Sequence, residues 1–168
     1  YIGTFSKVLS PALRIGYMVL PEHLVEVFQA AKWINDRHTP RLEQMVAAAF
    51  IEQGYFEQHL RRMRQVNALR RAAVLRAIEH HLGTAVDVVG TNAGLHLLLW
   101  LRGLGREDLA QLQARARALD VGIYPVSELY LVPPDRAGLL IGYASLDEIA
   151  IERGIALLGQ ALSATAVG

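Results

Sequence analysis

The sequence predicts an α/β fold, and three observations predict it. Short β-prone runs bounded by glycine, proline and small polar residues alternate with longer segments of helical periodicity. The longer segments open at prolines or small polar residues, and two of them stop at glycine, Gly54 and Gly83, as helices do. Beyond Gly83 the order is strand, strand, helix, strand, strand, helix, which predicts an α/β sandwich with helices on one face of a sheet.

The elements follow in order. Tyr1 to Phe5 is β-prone and ends in Ser6-Lys7; Ser10 and Pro11 break the run, and Leu13 to Leu20 resumes as a strand. Pro21 opens a helix over Glu22 to Ile34, whose packing face is Leu24, Val25, Val27, Phe28 and Ala31. Thr39 as N-cap and Pro40 in the first turn start a second helix, running to Gln53 through Leu42, Met45, Val46, Ala49 and Phe50, and Gly54 interrupts it. A long helix covers Tyr55 to Leu82 and is capped by Gly83. Its apolar side is Phe56, Leu60, Met63, Val74, Ile78 and Leu82.

After Gly83 come a strand over Ala85 to Val89, a turn over Gly90 to Gly94, and an apolar strand over Leu95 to Leu101. Arg102 to Gly105 is a loop, and Glu107 to Leu119 an amphipathic helix through Leu109, Leu112 and Ala116. Val121 to Tyr124 is a strand stopped by Pro125, Pro133 to Arg136 a loop, and Leu139 to Ala144 a strand. The last helix runs from Asp147 to Leu162, with Ser145 and Glu148 as a capping box, and Ala164 to Gly168 is a frayed tail. There is no internal repeat and no low-complexity linker.

Composition narrows the function classes. The 168 residues suffice for one domain with a real core. A net charge of +1 creates no global field toward nucleic acid or an anionic membrane. The absence of cysteine excludes a disulfide framework and thiolate metal sites, and suits a cytoplasmic protein. No apolar run approaches the ~20 residues of a membrane helix.

The stretch with chemistry in it is the first. Lys7 stands at a strand end among hydroxyl and apolar residues, where partial loss of hydration lowers an amine's pKa and lets the neutral form attack a carbonyl. Thr4, Ser6 and Arg14 add hydroxyl donors and a bidentate cation, which a phosphate requires. Together they could hold a phosphorylated aldehyde.

Thr4-Phe5-Ser6-Lys7 with Leu9, Pro11, Leu13-Arg14 and Gly16-Tyr17 resembles the lysine segment of fold-type-I pyridoxal-phosphate (PLP) proteins, the aspartate aminotransferase superfamily. The resemblance implies that Lys7 bonds to the cofactor's aldehyde and that Thr4, Ser6 and Arg14 bind its phosphate. It covers nearly the whole chain and implies the C-terminal part of such a protein. Residues 1–54 would be a remnant of the PLP-binding large domain, 55–83 a long connecting helix, and 84–168 a small C-terminal α/β domain. Three stretches resemble more closely the MocR subfamily of GntR transcription regulators: 1–7; 37–44 with 54–64; and Ala93-Gly94-Leu95-His96-Leu97 with Gly142-Tyr143-Ala144-Ser145-Leu146. That likeness implies a homodimer, a small amino compound or PLP as effector, and DNA contact only through an upstream winged helix-turn-helix. The chain starts without methionine where the family's lysine strand is already under way, so it is expected to be the later part of a longer protein.

Departures from the pattern weaken a claim to transamination. The acid that pairs with the PLP ring nitrogen and the aromatic that stacks on it lie upstream in the family. The strand before the last helix lacks the carboxylate-binding arginine of many aminotransferases, and Arg136 is not assigned that role. A tyrosine common in the subfamily near Asn67 is missing, which alters a contact across a dimer.

The remaining residues read as structural first. Arg61, Arg62, Arg64, Arg70, Arg71 and Arg76 scatter around their helix and read as a solvated or salt-bridged face rather than a DNA-tracking stripe. His96 reads as a core or edge residue of its strand. His80 and His81 suit a helix C-terminus and lack a third metal ligand. Three functional readings follow: the effector part of a regulator, the C-terminal part of a working aminotransferase in which Lys7 also moves the substrate Cα proton, or a dimerising domain with no activity of its own.

Overall fold

Ser10 and Pro11 shape the first structural feature of the chain. In this computed structural model, which describes residues 1–92 and 94–166 (the last without its side chain), the Ala12 N–H donates to Ser10 Oγ at 3.2 Å. A 3₁₀ turn follows over Pro11–Leu13, and Arg14 turns left-handed at φ 52°. The second strand therefore cannot begin at Leu13. It is confined to Gly16–Met18 (β2), antiparallel to Ile2–Thr4 (β1), with Thr4 opposite Gly16 and Gly3 opposite Tyr17.

The chain divides into two units, Tyr1–Met63 and Arg64–Gly168. The first holds β1 and β2, helix α1 (Glu22–Asp36), helix α2 (Arg41–Glu52) and the start of helix α3 (Tyr55–His81). Pro40, not Thr39, occupies the N-cap position of α2, and no side chain caps it. A residue before proline is held extended, so Thr39 stays outside the helix and gives only its carbonyl, to Gln44 Nε2 at 3.3 Å. Gly54 separates α2 from α3 at φ 77°, a conformation open to glycine. Among the described residues of this unit the buried apolar ones are Ile15 and Ala47. Trp33, Ile34, Leu42, Met45 and Val46 are all exposed.

The second unit has a true core. Its sheet has the order β3-β4-β6-β5, antiparallel throughout, with β3 at Val86–Val89, β4 at His96–Gly105, β5 at Tyr124–Pro125 and β6 at Arg136–Gly142. Along β4 the period of two puts Leu97, Leu99 and Leu101 on the buried face. Leu139 and Ala137 of β6 join them. Facing them are Val74, Ala77 and Ile78 of α3, Leu112 and Ala116 of α4 (Leu109–Ala118), and Ile155 and Leu158 of α5 (Glu148–Ala166). Each fully buried leucine contributes roughly 1.5–3 kcal/mol. The predicted helices on one face are thus observed. Val74, Ile78 and Leu82 of the predicted α3 stripe are buried, and Gly83 is left-handed.

Several boundaries differ from expectation, each for a local reason. β4 continues through the expected loop at 102–105, because Gly103 at φ 74° absorbs a register shift between Trp100 and Gly105. Arg136 consequently lies on β6, opposite Gly105. Val121–Ile123 is not strand; Pro125 pairs with Leu139 at the sheet edge, where a missing N–H is tolerated. The cap of α5 is Asp147, whose Oδ1 accepts from the Ala150 N–H at 2.7 Å, and Ser145 takes no such role. α5 reaches Ala166 because Thr165 is buried and its hydroxyl donates to the Ala161 carbonyl at 2.9 Å. The remainder of the expected tail, Val167 and Gly168, and Ala93 of the expected turn lie outside the described residues.

Candidate functional site

The candidate residues of the first unit all lie on one short stretch, β1–turn–β2. Thr4 ends β1; its Oγ1 accepts from the Ser6 N–H at 3.1 Å and its hydroxyl donates to the Ile15 carbonyl at 3.4 Å. The Phe5 N–H also donates to the Ile15 carbonyl, at 3.1 Å. These bonds close the β1 end of the turn onto the residue after Arg14. The Leu9 N–H then donates to the Phe5 carbonyl at 2.8 Å, so Ser6, Lys7 and Val8 sit within a single closed turn. Lys7 and Arg14 are both exposed. The desolvation expected at Lys7 is therefore not supplied by these residues.

The left-handed Arg14 is a backbone conformation that costs an L-residue roughly 1–2 kcal/mol. It turns Ile15 into the buried side and leaves the guanidinium outside. Among the described residues no hydrogen bond or ion pair engages the Lys7 amine or the Arg14 side chain. A primary amine, two hydroxyls and a guanidinium along the connection from β1 to β2 are the donor types that an aldehyde carrying a phosphate dianion requires.

Two neighbours of this turn were not legible in the sequence. The His59 ring nitrogen Nε2 lies 2.9 Å from the Val8 carbonyl, and the Phe56 ring meets Phe5 edge-on with centroids 5.8 Å apart. The available signals were that both belong to the quoted stretch 54–64 and that Phe56 lies on the apolar side of its helix. Across the strand pair, Tyr17 lies over Gly3, where a Cβ would stand 2.4 Å from the ring. The Tyr1 phenol beside it raises the Tyr17 phenol above its usual range, by hydrogen bonding first and by charge second.

In the second unit the stretches 94–97 and 142–146 come together. His96 stands opposite Gly142, and the buried Tyr143 donates its hydroxyl to the Gly94 carbonyl at 2.7 Å. Arg70 donates to the Ala144 carbonyl and Arg71 to the Asn92 carbonyl, the latter at 2.8 Å. Arg61 pairs with Glu57 and Arg76 with Glu148, so the predicted salt-bridged character holds for these two, while Arg70 and Arg71 serve backbone carbonyls instead. His96 is exposed on its strand. His81 departs from a simple dipole role: its Nε2 donates to Glu152 Oε1 of α5 at 2.6 Å. Arg136 and Arg102 both bind Asp87, and these bonds hold its carboxyl below the ordinary carboxylate range. Arg136 also lies over the Trp100 ring, 5.4 Å from its centroid. Among the described residues no group of His, Asp or Glu could hold a metal, and no helix is long and apolar enough to cross a membrane.

Comparison with known proteins bears on the fold and the family. No family model matches the chain. The structure is similar to that of LysN, an α-aminoadipate aminotransferase of Thermus thermophilus complexed with N-(5'-phosphopyridoxyl)-L-leucine. The TM-score is 0.88 at 31% identity, over 99% of this chain and 42% of that one. The chain has the fold of the C-terminal part of a fold-type-I, PLP-dependent aminotransferase. In sequence it is 38% identical, over 96% of its length, to an uncharacterized HTH-type transcriptional regulator of Bacillus subtilis, YhdI. It is 33% identical, over 98%, to the probable rhizopine catabolism regulatory protein MocR of Rhizobium meliloti. The likeness to MocR-type regulators of the GntR class, with their aminotransferase-like part, is borne out. The chain spans about a third of the length of these regulators, 34% and 33%.

Proposed function

We propose that the chain is the PLP-binding, aminotransferase-like effector part of a DNA-binding transcription regulator. What supports the reading is that Thr4, Ser6, Lys7 and Arg14 share the short connection from β1 to β2 in a chain related to HTH-type regulators. Lys7 would hold the cofactor through its amine, which condenses with an aldehyde with loss of water. The Ser6 hydroxyl donates to its phosphate, joined by the Thr4 hydroxyl once that turns from the Ile15 carbonyl it meets at 3.4 Å, and Arg14 offers two parallel N–H donors to the same group. The cofactor supplies an aldehyde able to bond an amine. A small amino compound that competes with Lys7 for that aldehyde is the effector, and its differential affinity for two arrangements of a cytoplasmic homodimer is the signal. DNA is bound by an upstream winged helix-turn-helix.

The second reading, the C-terminal part of a working aminotransferase, is supported by the likeness to LysN. In it Lys7 also carries the proton from the substrate Cα. The reading frame 5′ of the Tyr1 codon separates the two: a winged helix-turn-helix upstream supports the regulator, and its absence the enzyme. In the complete protein Lys7→Ala is expected to abolish the borohydride-trapped adduct with pyridoxal 5'-phosphate while leaving the circular dichroism spectrum unchanged. An adduct of undiminished yield removes Lys7 from this role.

A further inference from the structure

We propose that His59 is a positioning residue for Lys7, acting with Phe56 as a clamp on the lysine turn. The inference rests on the reading of Lys7 as the amine that bonds the cofactor. Phe5 stands two residues before Lys7 and Val8 one residue after it. Phe56 packs edge-on against Phe5, and His59 reaches the Val8 carbonyl at 2.9 Å. Phe56 and His59 are three apart on α3 and so share one face of one helical turn. That face touches the chain on both sides of the lysine.

A carbonyl can only accept, so His59 carries a proton on Nε2 and donates it. The neutral Nε2–H tautomer and the imidazolium both satisfy this bond. The Leu9 N–H to Phe5 carbonyl bond closes the turn from inside, and His59 fixes its outer carbonyl. The backbone under Lys7 is thereby held at three points, while the Lys7 side chain stays exposed. Capture of an aldehyde depends on the approach of the amine, and a small misplacement lowers the rate without weakening the grip on the phosphate.

The test uses the full-length protein freed of cofactor. Capture of pyridoxal 5'-phosphate at Lys7 is timed by borohydride quenching and mass analysis of the Lys7 peptide. Binding of pyridoxamine 5'-phosphate, which has no aldehyde, is measured in parallel. His59→Leu is expected to slow capture by about three- to tenfold, the range one net hydrogen bond supports, and to leave pyridoxamine phosphate affinity within about twofold. His59→Gln, whose amide nitrogen extends to the Nε2 position, is expected to restore capture, and the shorter His59→Asn is not. If His59→Leu fails to fold, the Gln–Asn pair carries the same comparison. Wild-type capture rates in His59→Leu, equal losses with both ligands, or equal rates in the Gln and Asn variants overturn the clamp. Failure of the wild-type protein to capture at all overturns the Lys7 reading on which it stands.

Discussion

Removing one oxygen atom from Tyr143 tests how the turn after β3 is held to the end of β6. The ring is 1% exposed, and its hydroxyl donates to the Gly94 carbonyl at 2.7 Å. Phenylalanine keeps the ring's packing, so the change isolates the hydrogen bond. Its loss, with the Gly94 carbonyl left unpaired in a part-buried site, costs roughly 1–3 kcal/mol. At about 2–4 °C per kcal/mol for a chain of this size, Tyr143→Phe should lower the thermal midpoint by several degrees. The urea midpoint should fall at unchanged slope. Arg71→Met removes the second tie, to the Asn92 carbonyl two residues away on the same turn. Because both variants loosen one turn, the double variant should depart from additivity by at least about 0.5 kcal/mol. An unchanged midpoint in Tyr143→Phe, or strictly additive losses, refutes the reasoning.

The other predictions concern single positions. Gly154→Ala in α5 should raise stability by about 0.5–1 kcal/mol in urea unfolding, since a Cβ there meets nothing within 4 Å. Gly159→Ala should fail to do so, because its Cβ would stand 3.0 Å from the His81 carbonyl oxygen. Asp87 is stabilised as the anion by Arg102 and Arg136, so its contribution is present above the unfolded carboxyl value of about 3.9 and is lost as pH falls through the lowered folded value. Thermal midpoints across acid pH should fall less steeply in Asp87→Asn than in the wild type. Gly3→Ala should displace the Tyr17 ring, seen as altered tyrosine fluorescence and a weaker covalent adduct in the complete protein.

What could be read in the sequence was whatever periodicity or local chemistry writes down. Leu97, Leu99 and Leu101 alternate, and the α3 stripe repeats at helical spacing, so the sheet-and-helix core was legible. Gly54 and Gly83 marked helix ends because a left-handed residue is needed there. The misplaced boundaries were set by longer-range partners. β4 passes through the expected loop because it keeps pairing with β6, and Asp147 displaces Ser145 as cap by one backbone N–H that periodicity does not register. At the candidate site the lysine turn was legible as a motif. The bond from His59 to Val8 spans 51 positions, and no local pattern encodes it.

An open sheet invites strand addition wherever an outer strand shows a row of unused N–H and C=O groups. Here one outer strand, β5, is two residues long, and one of them is Pro125, which has no N–H to offer. The other, β3, is four residues long and is followed by a left-handed Gly90 at φ 87°. The long apolar strands β4 and β6 both lie inside. A second copy thus finds little template on this sheet, and self-association of this unit is left to side-chain surfaces rather than to a growing backbone ladder.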